Sequence, residues 1–238
     1  MNPYLAEFVG TALLVLFGDG VVAGVLLNKS KAQNGGWIVI TAGWAFGVAI
    51  PVYAIGTISG GHINPAVTIG LAVTGKFAWS QVAGYLGAQF LGALVGAVLV
   101  WLAYLAHWEG TAEQSYKLAI FCTGPAIRRP PMNFVTEAIG TFVLMFGVMA
   151  LSAYKPSEQS GLTPLLVGIL VWGIGLSLGG PTGYAINPAR DLGPRIAHAI
   201  LPIAGKGGSD WGYAWVPVVG PLVGGILGAV TYVAMFKG

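Results

Sequence analysis

The triplet Asn-Pro-Ala occurs twice in the chain, at residues 64–66 and 187–189. Asparagine is favoured at the N-cap of a helix, and proline is favoured at the first helical position because its missing N–H would have no partner there. When the side-chain oxygen of a capping asparagine accepts from the helix backbone, its amide NH2 remains free to donate elsewhere. Asn64 and Asn187 are therefore predicted to begin two short helices and to present hydrogen-bond donors at their ends.

A single Asn-Pro pair is most often only a turn. Here both triplets follow a glycine-rich stretch and precede a short apolar segment. These matched surroundings favour a shared role over coincidence.

Composition indicates the class of protein that must position these residues. Hydrophobic residues make up 55% of the 238 residues and charged residues only 8%, whereas soluble domains carry charge on about a quarter of their residues. So few charges cannot cover a water-facing surface, so we predict an all-α membrane protein. The net charge of +3, without a basic run, gives no support for a nucleic-acid partner.

Six apolar stretches approach or exceed the roughly 20 residues that a spanning helix needs: 4–27, 37–57, 79–106, 133–153, 162–180 and 213–236. Two shorter stretches, 65–74 and 188–200, follow the triplets and cannot cross alone. Non-helical backbone persists at membrane depth only where it lines a cavity or is buried in protein. We therefore predict six transmembrane helices and two re-entrant half-helices in one channel domain, residues 1–238.

The two halves of the chain, about residues 1–106 and 133–238, are predicted to be inverted repeats. Glu-Phe-Val-Gly-Thr begins at Glu7 in the first, and Glu-Ala-Ile-Gly-Thr begins at Glu137 in the second. Two apolar spans and then one triplet follow each motif. Because three spans per half reverse the orientation, the half-helices should enter from opposite faces and meet near the middle.

Small residues recur at every fourth position of the third and sixth spans, namely at Gly84, Ala88, Gly92 and Gly96 and at Gly220, Gly224 and Gly228. Rows of this kind are typical of close helix contacts in membranes. The repeated spacing favours that interpretation over general glycine abundance.

Where the two half-helices meet, the positive ends of both helix dipoles point at one place. Cations are disfavoured there. A water molecule that accepts from Asn64 and Asn187 turns its hydrogens outward, which interrupts a proton chain. The pair thus predicts a passage for neutral hydroxyl-bearing solutes that rejects ions and protons.

The chain resembles the major intrinsic protein family, the aquaporins and aquaglyceroporins, over essentially its whole length. The resemblance rests on Ser-Gly-Gly-His-Ile-Asn-Pro-Ala-Val-Thr at residues 59–68 and Gly-Tyr-Ala-Ile-Asn-Pro-Ala-Arg-Asp at 183–191. It implies one pore per subunit, a homotetramer in the cell membrane, and cytoplasmic termini. The expected partners are the lipid bilayer, water, glycerol and other small neutral solutes, with no cofactor.

The resemblance also implies a selectivity filter. Arg190 corresponds to its arginine, and the other positions fall on Trp44, Gly175 and Tyr184. An arginine inside a membrane is costly and is a functional candidate by default, and its five donors can hold a hydroxyl oxygen. Water-selective members usually carry histidine at the position of Gly175, so glycine is expected to leave space for a larger solute. The alternatives are an arginine that reaches the membrane surface and aromatic residues that merely pack.

The expected solute is glycerol, whose carbon chain would face Trp44 and Tyr184 while its hydroxyls face Arg190. Asp191 and Pro217 are similar to the glycerol-conducting branch of the family. Tyr184 departs from the phenylalanine common in bacterial glycerol facilitators, and its hydroxyl could add a hydrogen bond or narrow the aperture.

The loops before the triplets are predicted to line the pore with backbone carbonyls, from Gly60, Gly61 and His62 and from Gly183, Tyr184 and Ala185. Glycine permits the unusual backbone angles this requires. Glu7 and Glu137 are predicted to accept hydrogen bonds from the N–H groups of these loops. His62, His107 and His198 have no partners at metal-ligand spacing, and Cys122 stands alone, so we expect no metal site and no disulfide.

Three other functions are compatible with parts of the sequence. A water-selective aquaporin is disfavoured by Gly175 and Asp191, and an ion-coupled secondary transporter by the scarcity of charge. An intramembrane enzyme is disfavoured because no nucleophile with a base and an orienting acid is found.

The charge distribution and the resemblance disagree on orientation. An even number of crossings places both termini with Lys76, Lys155 and Lys237, and the opposite side carries Lys29, Lys31, Lys117, Arg128, Arg129, Arg195 and Lys206. The positive-inside rule alone puts the termini outside. We follow the resemblance and expect cytoplasmic termini.

Overall fold

The computed structural model describes residues 2–236, and within them the regular structure is entirely helical. The helices are α1 Pro3–Leu26, α2 Trp37–Ser59, α3 Pro65–Val73, α4 Trp79–Ala103, α5 Leu105–Trp108, α6 Gln114–Phe121, α7 Pro130–Ala153, α8 Lys155–Gln159, α9 Thr163–Leu178, α10 Pro188–Ile200 and α11 Val216–Phe236. Lys237, which was counted for orientation, lies outside the described residues.

The predicted all-helical membrane fold is confirmed, with one difference in length. Among the described residues, α1, α2, α4, α7 and α11 are long and apolar enough to cross a membrane, whereas α9 has 16 residues. At 1.5 Å per residue α9 is about 24 Å long, short of a hydrocarbon core of about 30 Å. It begins at Thr163 with Pro164 in its first turn, and Gly179 and Gly180 follow its end.

The segment 107–132, which lies between the third and fourth apolar stretches and has no predicted helix, contains α6. This helix is short and mixed in polarity, so no apolar run marks it. Its side chains Ile120 and Phe121 are nevertheless buried, and the Phe121 ring stacks on Trp108 with centroids 5.7 Å apart. Burial of these side chains against the rest of the protein therefore stabilises a helix that the local sequence pattern does not predict.

The predicted glycine rows are sites of very close helix packing. A Cβ atom added at Gly92 or Gly96 of α4 would collide with backbone oxygens of α1, those of Phe8 and Ala12. At Gly224 of α11 it would collide with a backbone oxygen of α7. The small residues therefore allow close backbone contact between α1 and α4 and between α7 and α11.

Each half-helix packs on a long helix from the other half of the chain. Gly193 of α10 lies against α4, where an added Cβ would be 2.6 Å from the Ala93 side chain. Gly225 of α11 lies against α3, where it would be 3.0 Å from the backbone oxygen of Ala66. This crossed packing fixes the two half-helices relative to each other.

Candidate functional site

The two triplets cap their helices as the sequence predicts. Asn64 Oδ1 accepts from the backbone N–H of Ala66 at 2.9 Å. Asn187 Oδ1 accepts from the N–H groups of Ala189 at 3.0 Å and Arg190 at 3.2 Å. In both helices the proline follows the cap directly.

The amide groups of the same asparagines join the two loops. Asn64 Nδ2 donates to the backbone oxygen of Ile186, and Asn187 Nδ2 donates to that of Ile63, each at 2.8 Å. The N-terminal ends of α3 and α10 therefore meet. The expectation of a wholly free NH2 is corrected, because one of its two hydrogens is used across the junction. The second hydrogen is the one available to a solute, and both asparagines line a cavity.

The loops before the triplets hold strained backbone. Ile63 and Ile186 both have φ of 43°, and Tyr184 has φ of 41°. A positive φ at a β-branched residue is a clear outlier, and such strain costs about 1–3 kcal/mol per residue unless its surroundings enforce it. Gly60, at φ 86°, takes a similar region without penalty.

The two buried glutamates supply that enforcement. Glu7 accepts from the backbone N–H of His62 at 2.9 Å and of Ile63 at 2.7 Å. Glu137 accepts from the N–H of Ala185 at 3.0 Å and of Ile186 at 2.9 Å. Each carboxylate thus holds the strained isoleucine whose carbonyl accepts from the asparagine of the other triplet.

Glu7 also has side-chain partners. Ser59 Oγ donates to it at 2.7 Å and Gln89 Nε2 at 2.8 Å. Four hydrogen bonds on a fully buried carboxylate make it a fixed structural anchor for the first loop.

Two cavities meet at the predicted filter. The first, of about 140 Å³, is lined by Asn64 and Asn187 together with Gly60, Gly61, His62 and Ala185. The second, of about 370 Å³, includes Gly183 in its lining. The lining residues that they share are Trp44, Tyr184 and Arg190. Three of the four predicted filter residues therefore lie at the boundary between the cavities.

The shared residues give this boundary two chemically different sides. The Arg190 guanidinium lies over the Trp44 ring, with Cζ 3.9 Å from the ring centroid. Stacking of this kind holds the charged group in place while its N–H donors remain at the edge. The boundary between the cavities thus combines aromatic rings with a set of hydrogen-bond donors.

Gly175 acts on the boundary indirectly. It lines neither of the two cavities, and an added Cβ would lie 2.8 Å from Cζ of Tyr184. The expectation that glycine leaves open space is corrected, because the Tyr184 ring fills that space. A histidine here would collide with Tyr184 before it reached a solute.

Sequence reasoning missed three further residues of this site. Gly179, one turn after Gly175, also lies against the Tyr184 ring. Trp37 packs edge-on against the same ring, with ring centroids 5.9 Å apart. The Trp37 Nε1 also donates to the backbone oxygen of Gly175 at 3.0 Å. Asp19 lies behind Arg190. The i, i+4 glycine pair and the second acid in the first apolar span, after Glu7, were the signals available.

Asp191 and Pro217 lie in neither cavity lining. Asp191 accepts from the backbone N–H of Thr123 at 2.8 Å and from Arg195 Nε at 2.8 Å. Arg195 in turn donates to the backbone oxygens of Ser209 and Thr123. The pair therefore fastens two extended segments to α10, and Pro217 lies buried in the first turn of α11.

The histidine side chains contact neighbouring polar and aromatic groups of the protein. His62 Nδ1 lies 3.1 Å from Thr68 Oγ1, and the ring packs against Phe77 and Tyr85. Across residues 2–236, no group of three His, Cys, Asp or Glu side chains is arranged to hold a metal ion. The side chain of Cys122 is buried.

Comparison with known proteins gives the family. The profile described as Major intrinsic protein matches residues 1–232. The chain belongs to this family. A probable glycerol uptake facilitator protein of Thermotoga maritima is 64% identical over 99% of this chain and 100% of that protein. The glycerol uptake facilitator protein of Bacillus subtilis is 56% identical over 100% of this chain and 86% of that protein.

A solved structure within the family agrees with the fold. The aquaglyceroporin from Plasmodium falciparum superposes with a TM-score of 0.83 at 30% identity, covering 96% of this chain and 93% of that one. The paired half-helices therefore occur in a chain of the major intrinsic protein family. Several of its relatives are named as glycerol uptake facilitators.

Proposed function

We propose that the protein is a passive channel that conducts glycerol, water and other small uncharged solutes and excludes ions and protons. The observation that carries the proposal is the boundary formed by Trp44, Tyr184 and Arg190 between two cavities. Glycerol has a carbon edge that suits the aromatic surface and hydroxyls that can accept from the guanidinium. The relatives named as glycerol uptake facilitators support the same solute.

Exclusion of charge follows from the junction of α3 and α10. The positive ends of both helices point to the place where Asn64 and Asn187 line the cavity. Cations therefore lose hydration without compensation. Neutral solutes exchange water for the amide hydrogens and the loop carbonyls, which replace the lost hydrogen bonds.

The protein is further proposed to act in the cell membrane as a homotetramer with cytoplasmic termini, and as a channel rather than an enzyme. The many exposed apolar side chains, such as Ile38, Trp79 and Leu227, suit contact with lipid or with neighbouring subunits. Light scattering of the purified protein would give a mass of four chains if the assembly is correct.

Permeation through proteoliposomes tests the channel function. Stopped-flow light scattering would follow vesicle shrinkage for water and reswelling for glycerol, with protein-free vesicles as control. We expect both rates to exceed the control, and glycerol flux to be unchanged by an imposed proton or sodium gradient. Raised water flux with control-level glycerol flux would instead identify a water-selective pore, and gradient-driven accumulation would identify a coupled transporter.

A further inference from the structure

Asp19, in α1, is a buried acid next to the boundary between the cavities. Its side chain has no solvent exposure, and its Oδ1 lies 3.8 Å from Nη1 of Arg190. Among residues 2–236 neither carboxylate oxygen has a hydrogen-bond partner. Asp19 lines neither cavity, so any effect on a solute must act through Arg190.

The neighbouring glycine explains how the acid comes so close. A Cβ atom at Gly18 would collide with the Trp44 ring, so α1 presses directly on the ring that carries the guanidinium. Trp44 and Asp19 therefore hold Arg190 from two directions. A larger residue at position 18 would push α1 away and lengthen the distance between the two charges.

The other buried charges nearby already balance each other. Asp191 and Arg195 form a fully buried pair at 2.8 Å. Arginine side chains carry a permanent positive charge, and the acid that lies within 4 Å of Arg190 among the described residues is Asp19. The charge balance at the boundary therefore depends on this one carboxylate.

The surroundings fit the ionised form of Asp19. Neither carboxylate oxygen has a hydrogen-bond donor or acceptor among the described residues, so the interaction that favours one form over the other is the positive charge of Arg190, 3.8 Å away. An isolated buried carboxylate is very costly, whereas one beside a permanent cation is compensated. Asp19 and Arg190 therefore form an ion pair without a direct hydrogen bond.

We propose that Asp19 determines specificity by cancelling the charge of Arg190, so that the boundary offers donors to hydroxyls without attracting small anions. This rests on the proposed channel function. A filter with an uncompensated arginine would draw anions towards the pore, since fixed charges set the ionic preference of narrow passages. With Asp19 in place, the guanidinium donates hydrogen bonds at nearly zero net charge.

The substitution Asp19→Asn tests this, because it keeps the shape and removes the charge. Asp210→Asn is the matched control, since Asp210 pairs with the exposed Arg128 away from both cavities and its φ of 49° is one that asparagine tolerates. Proteoliposomes with valinomycin and potassium would report iodide entry through quenching of an entrapped dye, alongside glycerol flux.

We expect Asp19→Asn to raise iodide entry about tenfold or more, since a charge about 4 Å from its partner is only partly screened, with Asp210→Asn unchanged. The double variant Asp19→Asn, Arg190→Gln should return iodide entry towards wild type, a reversal that a merely structural role would not produce. If Asp19→Asn folds poorly, Asp19→Ser and the charge-retaining Asp19→Glu provide the same contrast.

Wild-type iodide entry in either neutral variant, with glycerol flux retained, would overturn the proposal. Glycerol flux at the protein-free rate in the wild type would instead overturn the channel function, so the two failures can be told apart.

Discussion

The substitution Gly175→Ala should narrow the passage by displacing Tyr184. The added Cβ would lie 2.8 Å from Cζ of Tyr184 and 3.0 Å from Cγ2 of Thr41. Ordinary contact begins at 3.4 Å, so the ring must retreat by about 0.6 Å. With the α9 backbone on one side, the direction open to the ring is towards the cavities that it lines.

The expected effect is selective for the larger solute. Overpacking of this size costs about 1–3 kcal/mol. If that cost is added to the activation free energy for glycerol and not to that for water, each 1.4 kcal/mol slows glycerol passage about tenfold. We therefore expect glycerol flux to fall about fivefold or more while water flux changes less than twofold, measured by stopped-flow light scattering on proteoliposomes.

Gly173→Ala is the matched control on the same helix. Gly173 is exposed, and an added Cβ there has no heavy atom of the described chain within 4 Å. The double variant Gly175→Ala, Tyr184→Ala should regain glycerol flux, because the ring that must move is gone. Equal glycerol flux in Gly175→Ala and Gly173→Ala would refute the reasoning.

Two further predictions concern the supports of the site. Glu137→Gln keeps one acceptor oxygen and loses a charge-assisted hydrogen bond to a strained loop, so the free energy of unfolding, measured by thermal unfolding in detergent, should fall by about 1.5–3 kcal/mol. The free energy of unfolding of the control Glu158→Gln, at an exposed residue, should stay within about 0.5 kcal/mol of wild type. Equal unfolding curves for the two variants would contradict this prediction. Gly224→Val should separate α11 from α7 because its side chain would meet the backbone oxygen of Ala138, and the monodisperse fraction after heating should drop. The exposed Gly87→Val, with no atom of the described chain in its way, should behave as wild type.

Local chemistry made much of the architecture predictable. The caps at Asn64 and Asn187 depend on the residue itself and its neighbours, so they could be inferred without the rest of the chain. The glycine rows were equally readable, since close packing in a membrane requires small residues at fixed spacing. The short helix α6 was not, because its stability comes from burial of Phe121 against Trp108 rather than from its own pattern.

The details of the candidate site depended on residues far apart in sequence. Gly175 and Tyr184 are separated by a turn and a loop, and only the fold shows that the ring occupies the space above the glycine. The distance between Asp19 and Arg190 likewise arises from the contact of α1 with Trp44. A sequence pattern identifies such residues as unusual, but it does not show which one compensates which.

The same distinction weakens the conflict over orientation. Four of the cations on the side opposite the termini are engaged by the folded chain. Lys117 and Arg195 are buried, and Lys206 Nζ donates to three backbone oxygens at the end of α10. Arg128 pairs with Asp210, which raises the pKa of the Arg128 guanidinium. The positive-inside rule counts Lys and Arg in short loops near the ends of the spanning helices, and we discount the cations whose charge the folded chain already engages. Without the four engaged residues, the remaining cations are Lys29, Lys31 and Arg129 against Lys76, Lys155 and Lys237. The bias disappears, so the charge count no longer opposes the proposed cytoplasmic termini.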